Sequence, residues 1–432
     1  MHTKERLKKV NLVSLGCSKN LVDSEILLRQ FKANGLSIIN NPTQADYVVI
    51  NTCGFINDAK DESIQAILEA VELKSVGKVK KIIVMGCLSE RYKEELTEEI
   101  PDVDAYFSVT DFKGVLKELG LDYKKELLGE RVLSTPKHYA YLKISEGCNN
   151  PCSFCAIPLI RGPHKSKTIE EIISEAEFLA KKGVKELILI AQDSTYYGLD
   201  LYGFRKLAEL LKKLTKVDGI EWIRLLYAFP SKFPEEILDV IAEEEKVVKY
   251  IDIPFQHISD KVLKSMQRGI SRRRTYELID LMRSKIPNLT LRTTLIVGYP
   301  KEGEKEFQEL YDFVKEIKFD RLGVFTYSQE EGTKAFVLGD PIPQEEKERR
   351  KKEIMELQAK ISYEKNQNLV GKELSVIIDE IEDKIAYGRT EKDAPEVDNS
   401  VIVYTNKKLE QGEFYKVEIV DALEFDLIGQ IR

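Results

Sequence analysis

Glu146-Gly147-Cys148-Asn149-Asn150-Pro151-Cys152-Ser153-Phe154-Cys155 places three thiols within eight residues at C-x3-C-x2-C spacing. Glycine, asparagine and proline make the stretch a loop. Three thiolates on one loop can fold around one face of a metal cluster. A structural zinc site wants four closed ligands, and a fully ligated iron–sulfur cube wants four cysteines. Three cysteines leave one iron open for something else to bind. Immediately before the loop, Tyr141–Ser145 reads as a strand, so the thiols stand at a strand's carboxyl end.

Working outward, six strand candidates are each followed by a helix. They are Tyr141–Ser145, Glu186–Ala191, Glu221–Leu226, Lys249–Ile253, Asn288–Val297 and Asp320–Tyr327. One helix is plain from Thr168 to Lys182: Thr168 caps it, Glu170 and Glu171 suit its positive end, and Gly183 stops it. Six parallel βα units are too few for a closed eight-stranded barrel. They suit an open, partial (β/α)6 barrel with its site at the strand C-termini. Gln192 after the second strand and Gln256-His257 after the fourth are further pocket candidates at that mouth. Gly298-Tyr299-Pro300 and Tyr327-Ser328 lie there too. Polar loops at strand ends are more often scaffold than chemistry, and a lone histidine is usually a satisfied structural residue. The run Arg272-Arg273-Arg274 has the charge to bind phosphate but reads first as a solvated helix start.

The other three cysteines, Cys17, Cys53 and Cys87, follow Val10–Gly16, Tyr47–Thr52 and Ile82–Gly86. Each run is apolar and short enough for a buried parallel strand. With helical patterns near residues 20–34, 57–74 and 89–98, the order is βαβ, a doubly wound α/β domain. Asn20 or Asp23 can cap the helix after Cys17. Ligands of open α/β sheets gather at strand carboxyl ends, so these thiols can converge. Three and three with none left over suggests two clusters. Alternatives stay open: disulfides, which a reducing compartment disfavours, zinc with His164 as fourth ligand, and structural cysteines that simply fill the core.

The 432 residues are 43% hydrophobic and 32% charged, enough for two to four domains. No run approaches the length of a membrane span. The opening Met1-His2-Thr3-Lys4-Glu5-Arg6 is charged and unlike a signal peptide, so a cytoplasmic protein is expected. The blocks fall at about 8–125, 134–365 and 366–432, with a polar linker around 126–138. The last carries five short strands: Leu374–Ile378, Ile385–Arg389, Val401–Tyr404, Tyr415–Val420 and Leu427–Gln430. That predicts a small antiparallel β-barrel of OB-like type. Such barrels often bind RNA through basic faces. Here Gly371–Arg432 holds 15 Asp/Glu against 8 Lys/Arg, a balance of −7 that equals the net charge of the entire chain. An acidic barrel repels phosphate and prefers a basic protein surface, unless its charge is only a solvated face.

The cysteine loop resembles that of the radical S-adenosylmethionine (SAM) superfamily. Over essentially its full length the chain resembles the methylthiotransferase family. The matching residues are Leu15-Gly16-Cys17-Ser18-Lys19-Asn20-Leu21-Val22-Asp23-Ser24-Glu25, Asn51-Thr52-Cys53-Gly54-Phe55, Gly86-Cys87-Leu88, the Cys148/Cys152/Cys155 triad and Gln256-His257. Cys17–Asn20, Ala191–Thr195 and Asp393-Ala394-Pro395-Glu396-Val397-Asp398 resemble the branch acting on an aspartate β-carbon of small-subunit ribosomal protein twelve. The alternative is the tRNA adenosine branch of MiaB type. Gly298-Tyr299-Pro300-Lys301-Glu302-Gly303 departs from the family's Gly-Phe-Pro-Gly-Glu-Thr. The resemblance implies two [4Fe-4S] clusters, one on Cys148/Cys152/Cys155 that binds SAM and an auxiliary one on Cys17/Cys53/Cys87. It implies a polar methyl transfer and a radical C–H activation, each using SAM, and a C-terminal TRAM barrel. The implied partners are the basic ribosomal protein or the ribosomal particle, an electron donor such as flavodoxin or ferredoxin, and a sulfur donor, with no membrane.

Overall fold

The structure, a computed structural model, describes residues 7–431; Met1–Arg6 lie outside the described residues. The chain divides into two compact units. Among the described residues, one holds 7–134 with 146–149 and 156–164, and the other holds 135–145, 150–155 and 165–431.

In the first unit an all-parallel sheet runs in the order Ser37–Ile38, Lys9–Ser14, Tyr47–Thr52, Lys81–Gly86, Ala105–Tyr106. Tyr47–Thr52 is buried at every position, as a strand covered on both faces must be. Alternate residues feed two cores. Val48, Ile50, Ile82 and Val84 pack with Ile67, Ala70, Leu88 and Leu96 on one face. Val49, Ile83 and Met85 pack with Leu27, Phe31, Val115 and Leu116 on the other. Helices on both faces of a parallel sheet make the domain doubly wound. Order reverses between Lys9–Ser14 and Tyr47–Thr52, which defines the switch point where such sheets bind ligands. The polar segment read as a linker is strapped back onto helix Ser18–Ala33. Buried Glu25 accepts Arg131 Nη1 at 2.8 Å and the Ser134 amide at 2.7 Å.

The second unit is built on six parallel strands in sequential order: Tyr139–Lys143, Glu186–Ile190, Trp222–Leu225, Val247–Asp252, Thr290–Val297 and Arg321–Thr326. The sheet stays open, as six strands imply. Helix Ile169–Lys181 begins with the expected Thr168 cap, which with Glu171 forms a capping box. Arg272 begins helix Arg272–Lys285, and Arg273 and Arg274 pair with Glu277 as a solvated start does.

The C-terminal strands Glu373–Glu382, Ile385–Arg389, Val401–Tyr404, Phe414–Ala422 and Leu427–Gln430 close into a barrel around Val376, Ile378, Val401, Val403, Val417 and Ile419. Four strand pairs are antiparallel, but Val401–Tyr404 and Leu427–Gln430 run parallel. An odd number of strands cannot alternate direction all the way round, so one parallel pair is the geometric consequence of closure.

The loop 390–398 of this barrel enters the amino-terminal end of the six-stranded sheet. Asp393 accepts Arg321 Nε at 2.9 Å, and Asp398 accepts Tyr250 Oη at 2.6 Å and Arg292 Nε at 3.2 Å. Glu396 takes the hydroxyls of Tyr139 and Tyr141. Arg389 reaches Glu186 at 2.7 Å, and Glu186 also holds Arg224 at 2.7 Å. Burial pushes the Glu186 carboxyl up, but the two guanidiniums outweigh it and hold it below its ordinary value. The Asp393–Asp398 stretch noted in the sequence is thus a plug opposite the carboxyl ends of the strands. Asp379, Asp393, Glu396 and Asp398 are spent inside the unit. The barrel's outer surface stays acidic through residues such as Glu380, Glu382 and Asp383, all exposed.

Candidate functional site

Cys17, Cys53 and Cys87 each follow a strand of the parallel sheet: Lys9–Ser14, Tyr47–Thr52 and Lys81–Gly86. Parallel strands put these ends on one edge, with Cys17 and Cys53 at the switch point. The approach is tight. Gly16 sits at φ +86°, and a Cβ there would lie 2.7 Å from Cys53 Cβ and 2.8 Å from its Sγ. A Cβ on Gly54 would lie 2.7 Å from Leu88 Cα and 3.0 Å from the Cys87 carbonyl carbon. Only glycine permits these contacts, and they bring the three cysteine turns together.

Asn20 does not cap the helix: Cys17 is the N-cap residue, without a side-chain bond. Asn20 Nδ2 instead donates to the carbonyls of Leu15 and Thr52, both at 2.9 Å, and so ties two of the cysteine turns. Asp23 is not a cap either; it accepts Arg161 Nη1 at 3.1 Å. Ser63 Oγ accepts the Cys53 amide at 3.0 Å and donates to the Cys53 carbonyl at 2.9 Å. Burial pushes both inner thiols up, Cys87 to about 12, against the pull of the Arg161 guanidinium. Such thiols are protonated near neutral pH, so loading a metal releases protons.

The second set is fixed in two halves. In the first unit, Gly147 sits at φ +73°, where a Cβ would lie 2.2 Å from Pro163 O and 2.6 Å from Gly162 O. The Cys148 amide donates to Gly162 O at 3.1 Å, and Asn149 Oδ1 accepts the His164 amide at 3.0 Å. In the second unit, the Ser153 amide donates to Met266 O at 2.9 Å. Ser153 Oγ donates to Ser265 O at 2.8 Å and shares a 3.1 Å bond with Tyr299 Oη. Arg268, stacked 4.3 Å over Phe229, donates Nη1 to Cys152 Sγ at 3.2 Å. Asn150 Nδ2 donates to Asp193 Oδ2 at 2.8 Å.

All six cysteines are free thiols, so disulfides do not hold them. Among the described residues no three His, Cys, Asp or Glu side chains close on a single metal ion. Each triad offers three sulfurs, one short of the four closed ligands of a structural zinc site. A four-iron cube spreads its thiolates around a larger body. Three sulfurs, glycine-lined turns and an arginine beside one sulfur of each set fit that group.

Of the pocket candidates, His257 is wholly buried. Its Nε2 faces Glu302 at 3.1 Å and its Nδ1 accepts the Ser259 amide at 3.0 Å. Both nitrogens are engaged. Glu302 also takes the Gly298 amide and Arg350, which explains how the divergent 298–303 turn is held. Gln256 sits at φ +71° with a buried Oε1 that has no partner among the described residues. Gln192 is half-buried after strand Glu186–Ile190, and its neighbour Asp193 is the residue that meets the cysteine loop. Asp193 lies in the Ala191–Thr195 motif, whereas Arg161 and Arg268 escape sequence reasoning. Neither carries a motif, and each lies far along the chain from the atoms it binds.

An open parallel barrel with a three-cysteine loop after its first strand, joined to a second cysteine triad on a doubly wound sheet, defines a radical SAM protein. Residues 142–314 match the model of the Radical SAM superfamily, 9–108 that of "Uncharacterized protein family UPF0004", and 370–431 that of the TRAM domain. The solved structure of the radical SAM methyltransferase TsrM from Kitasatospora setae shares the fold. Its TM-score is 0.56 at 13% identity, over 77% of each chain. The ribosomal protein uS12 methylthiotransferase RimO of Christiangramia forsetii is 56% identical over 100% of this chain and 96% of its own length. That of Flavobacterium psychrophilum is 54% identical over 100% of both. The chain belongs to the RimO family of radical SAM methylthiotransferases.

Proposed function

We propose that this protein inserts a methylthio group at the β-carbon of an aspartate of ribosomal protein uS12. The observation that carries this reading is full-length identity above one half to RimO proteins, in a chain that keeps both cysteine triads in place. In this reading Cys148, Cys152 and Cys155 hold the SAM-binding [4Fe-4S] cluster, and Cys17, Cys53 and Cys87 hold the auxiliary one. Residues 8–125, 134–365 and 366–432 are the working domains. When bound, the clusters and SAM supply the reductive cleavage that activates an unreactive C–H bond and the methylthio group that replaces its hydrogen.

The chain's own residues orient and protect. Ser153, Tyr299 and Asn150 fix the Cys152–Cys155 half of the loop. Arg268 places positive charge on Cys152. The 390–398 plug closes the amino-terminal end of the sheet and keeps water from that side, which matters for a radical reaction. The acidic outer face of the TRAM barrel suits a basic ribosomal protein better than RNA, which favours uS12 over the tRNA alternative. An external one-electron donor such as flavodoxin or ferredoxin, and a sulfur donor, complete the scheme. No described helix is long and apolar enough to cross a membrane, and we place the protein in the cytoplasm. The test is iron-loaded protein with SAM and reductant, with cysteine variants. Cys148→Ala abolishes both 5′-deoxyadenosine and product, whereas Cys17→Ala abolishes product and leaves some cleavage. Full product from Cys17→Ala would refute the auxiliary assignment.

A further inference from the structure

Arg161 stands six residues beyond Cys155, yet its side chain is buried in the first unit, 1% exposed. Helix Ile157–Arg161 carries it there. Ala156 and Ile160 pack with Cys87 and Val109. Nη1 donates to Asp23 at 3.1 Å and to Glu146 at 2.8 Å, while Nη2 donates to Asn20 Oδ1 and stands 3.8 Å from Cys87 Sγ. One guanidinium thus touches a thiol of one triad and a carboxylate two residues before Cys148. Gly162, the next residue, accepts the Cys148 amide. A fork with several fixed donors is what this task needs; a lysine ammonium cannot span the same partners. Burying a guanidinium costs energy unless it is paired, and Asp23 and Glu146 supply more negative charge than pairing needs. The sulfur of Cys87, a neutral thiol until a metal displaces its proton, becomes a third anionic group beside the same cation once it is a ligand.

We infer that Arg161 is a positioning residue of the auxiliary centre: it fixes Cys87 against the segment that carries Cys148 and lends positive charge to a cluster held by Cys17, Cys53 and Cys87. This rests on the auxiliary-cluster reading. A buried cation beside a cluster favours the reduced, more negative state, so it raises the reduction potential. Arg268 holds the corresponding place at Cys152, which makes the two centres separately addressable.

The test is an anaerobic redox titration, followed by electron paramagnetic resonance, of the iron-loaded full chain. Arg161→Met and Arg161→Gln lower the auxiliary midpoint by at least a tenfold change in the reduction equilibrium, 59 mV for a one-electron couple. The potential of the SAM-binding cluster stays put. Arg161→Lys, which keeps the charge, recovers most of the shift. If Arg161→Met fails to fold, Arg161→Gln decides. Full iron content with an unmoved auxiliary potential in either neutral variant overturns the inference. Wild-type protein that takes up only one cluster would instead overturn the auxiliary-cluster reading itself, so the two failures are told apart.

Discussion

Replacing Glu186 with glutamine tests how the barrel plug is held. Glu186 is wholly buried and holds Arg224 Nε and Arg389 Nη1, each at 2.7 Å. Glutamine keeps the shape and removes the charge. Arg389 retains Asp379 at 2.7 Å. Arg224 keeps the Glu391 carbonyl at 2.8 Å and the faces of Tyr250 and Trp222, with no other carboxylate bonded to it among the described residues, and its Nη2 already has no partner there. Stripping the countercharge from a buried ion costs about 3–5 kcal/mol, against about 0–1 kcal/mol for a surface pair. Urea unfolding followed by circular dichroism reads the difference. Arg273→Ala, at an exposed pair with Glu277 on helix Arg272–Lys285, is the control and shifts the midpoint little. The pH dependence has a fixed sign. Because the folded carboxyl lies below its ordinary value, its stabilisation is present above the unfolded value, about 4.3 for glutamate. It is lost as pH falls through the depressed folded value. The gap between wild type and Glu186→Gln is therefore full at neutral pH and narrows in acid. A loss under about 1 kcal/mol at pH 7 would refute the claim that this network anchors the plug.

Gly16→Ala drives a Cβ onto Cys53 and should cost the auxiliary cluster alone: with one of two four-iron clusters lost, iron per chain falls by about half and SAM cleavage persists. Gly147→Ala collides with the carbonyls of Gly162 and Pro163 and should do the reverse, removing 5′-deoxyadenosine formation while auxiliary iron stays. Charge reversal of Glu380, Glu382 and Asp383 to lysine should weaken binding to uS12 several-fold at low salt and leave stability unchanged. In the wild type that binding should weaken as ionic strength rises.

Much of the architecture was legible because burial writes itself into composition. The apolar, β-branched runs ahead of Cys17, Cys53 and Cys87 read as covered parallel strands, as did Tyr141–Ser145 ahead of the cysteine loop, and a parallel sheet leaves its carboxyl ends on one edge. The strands of the terminal barrel fell within a few residues of their expected limits. Their parallel pair was not foreseen, since it follows from closure rather than from any local pattern. Asn20 and Asp23 looked like helix caps because short polar side chains near a helix start usually are. Tertiary partners, two strand-end carbonyls for Asn20 and Arg161 for Asp23, claimed them instead. His257 was a pocket candidate by position and, as a lone histidine, equally a structural one; both its nitrogens are engaged, by Glu302 and a backbone amide. The barrel's acidity was read as all surface, whereas Asp379, Asp393 and Asp398 turn inward to hold arginines, Tyr250 and His138, and Glu396 spends its carboxylate on Tyr139 and Tyr141. Such long-range pairing leaves no local trace in a single sequence.

The central claim is tested most directly by supplying the iron-loaded protein with SAM, a strong reductant, and uS12 or unmodified tRNA in parallel, each read by mass spectrometry. The account predicts a methylthio gain on one aspartate of uS12 and none on tRNA. A gain on tRNA with uS12 untouched would contradict it.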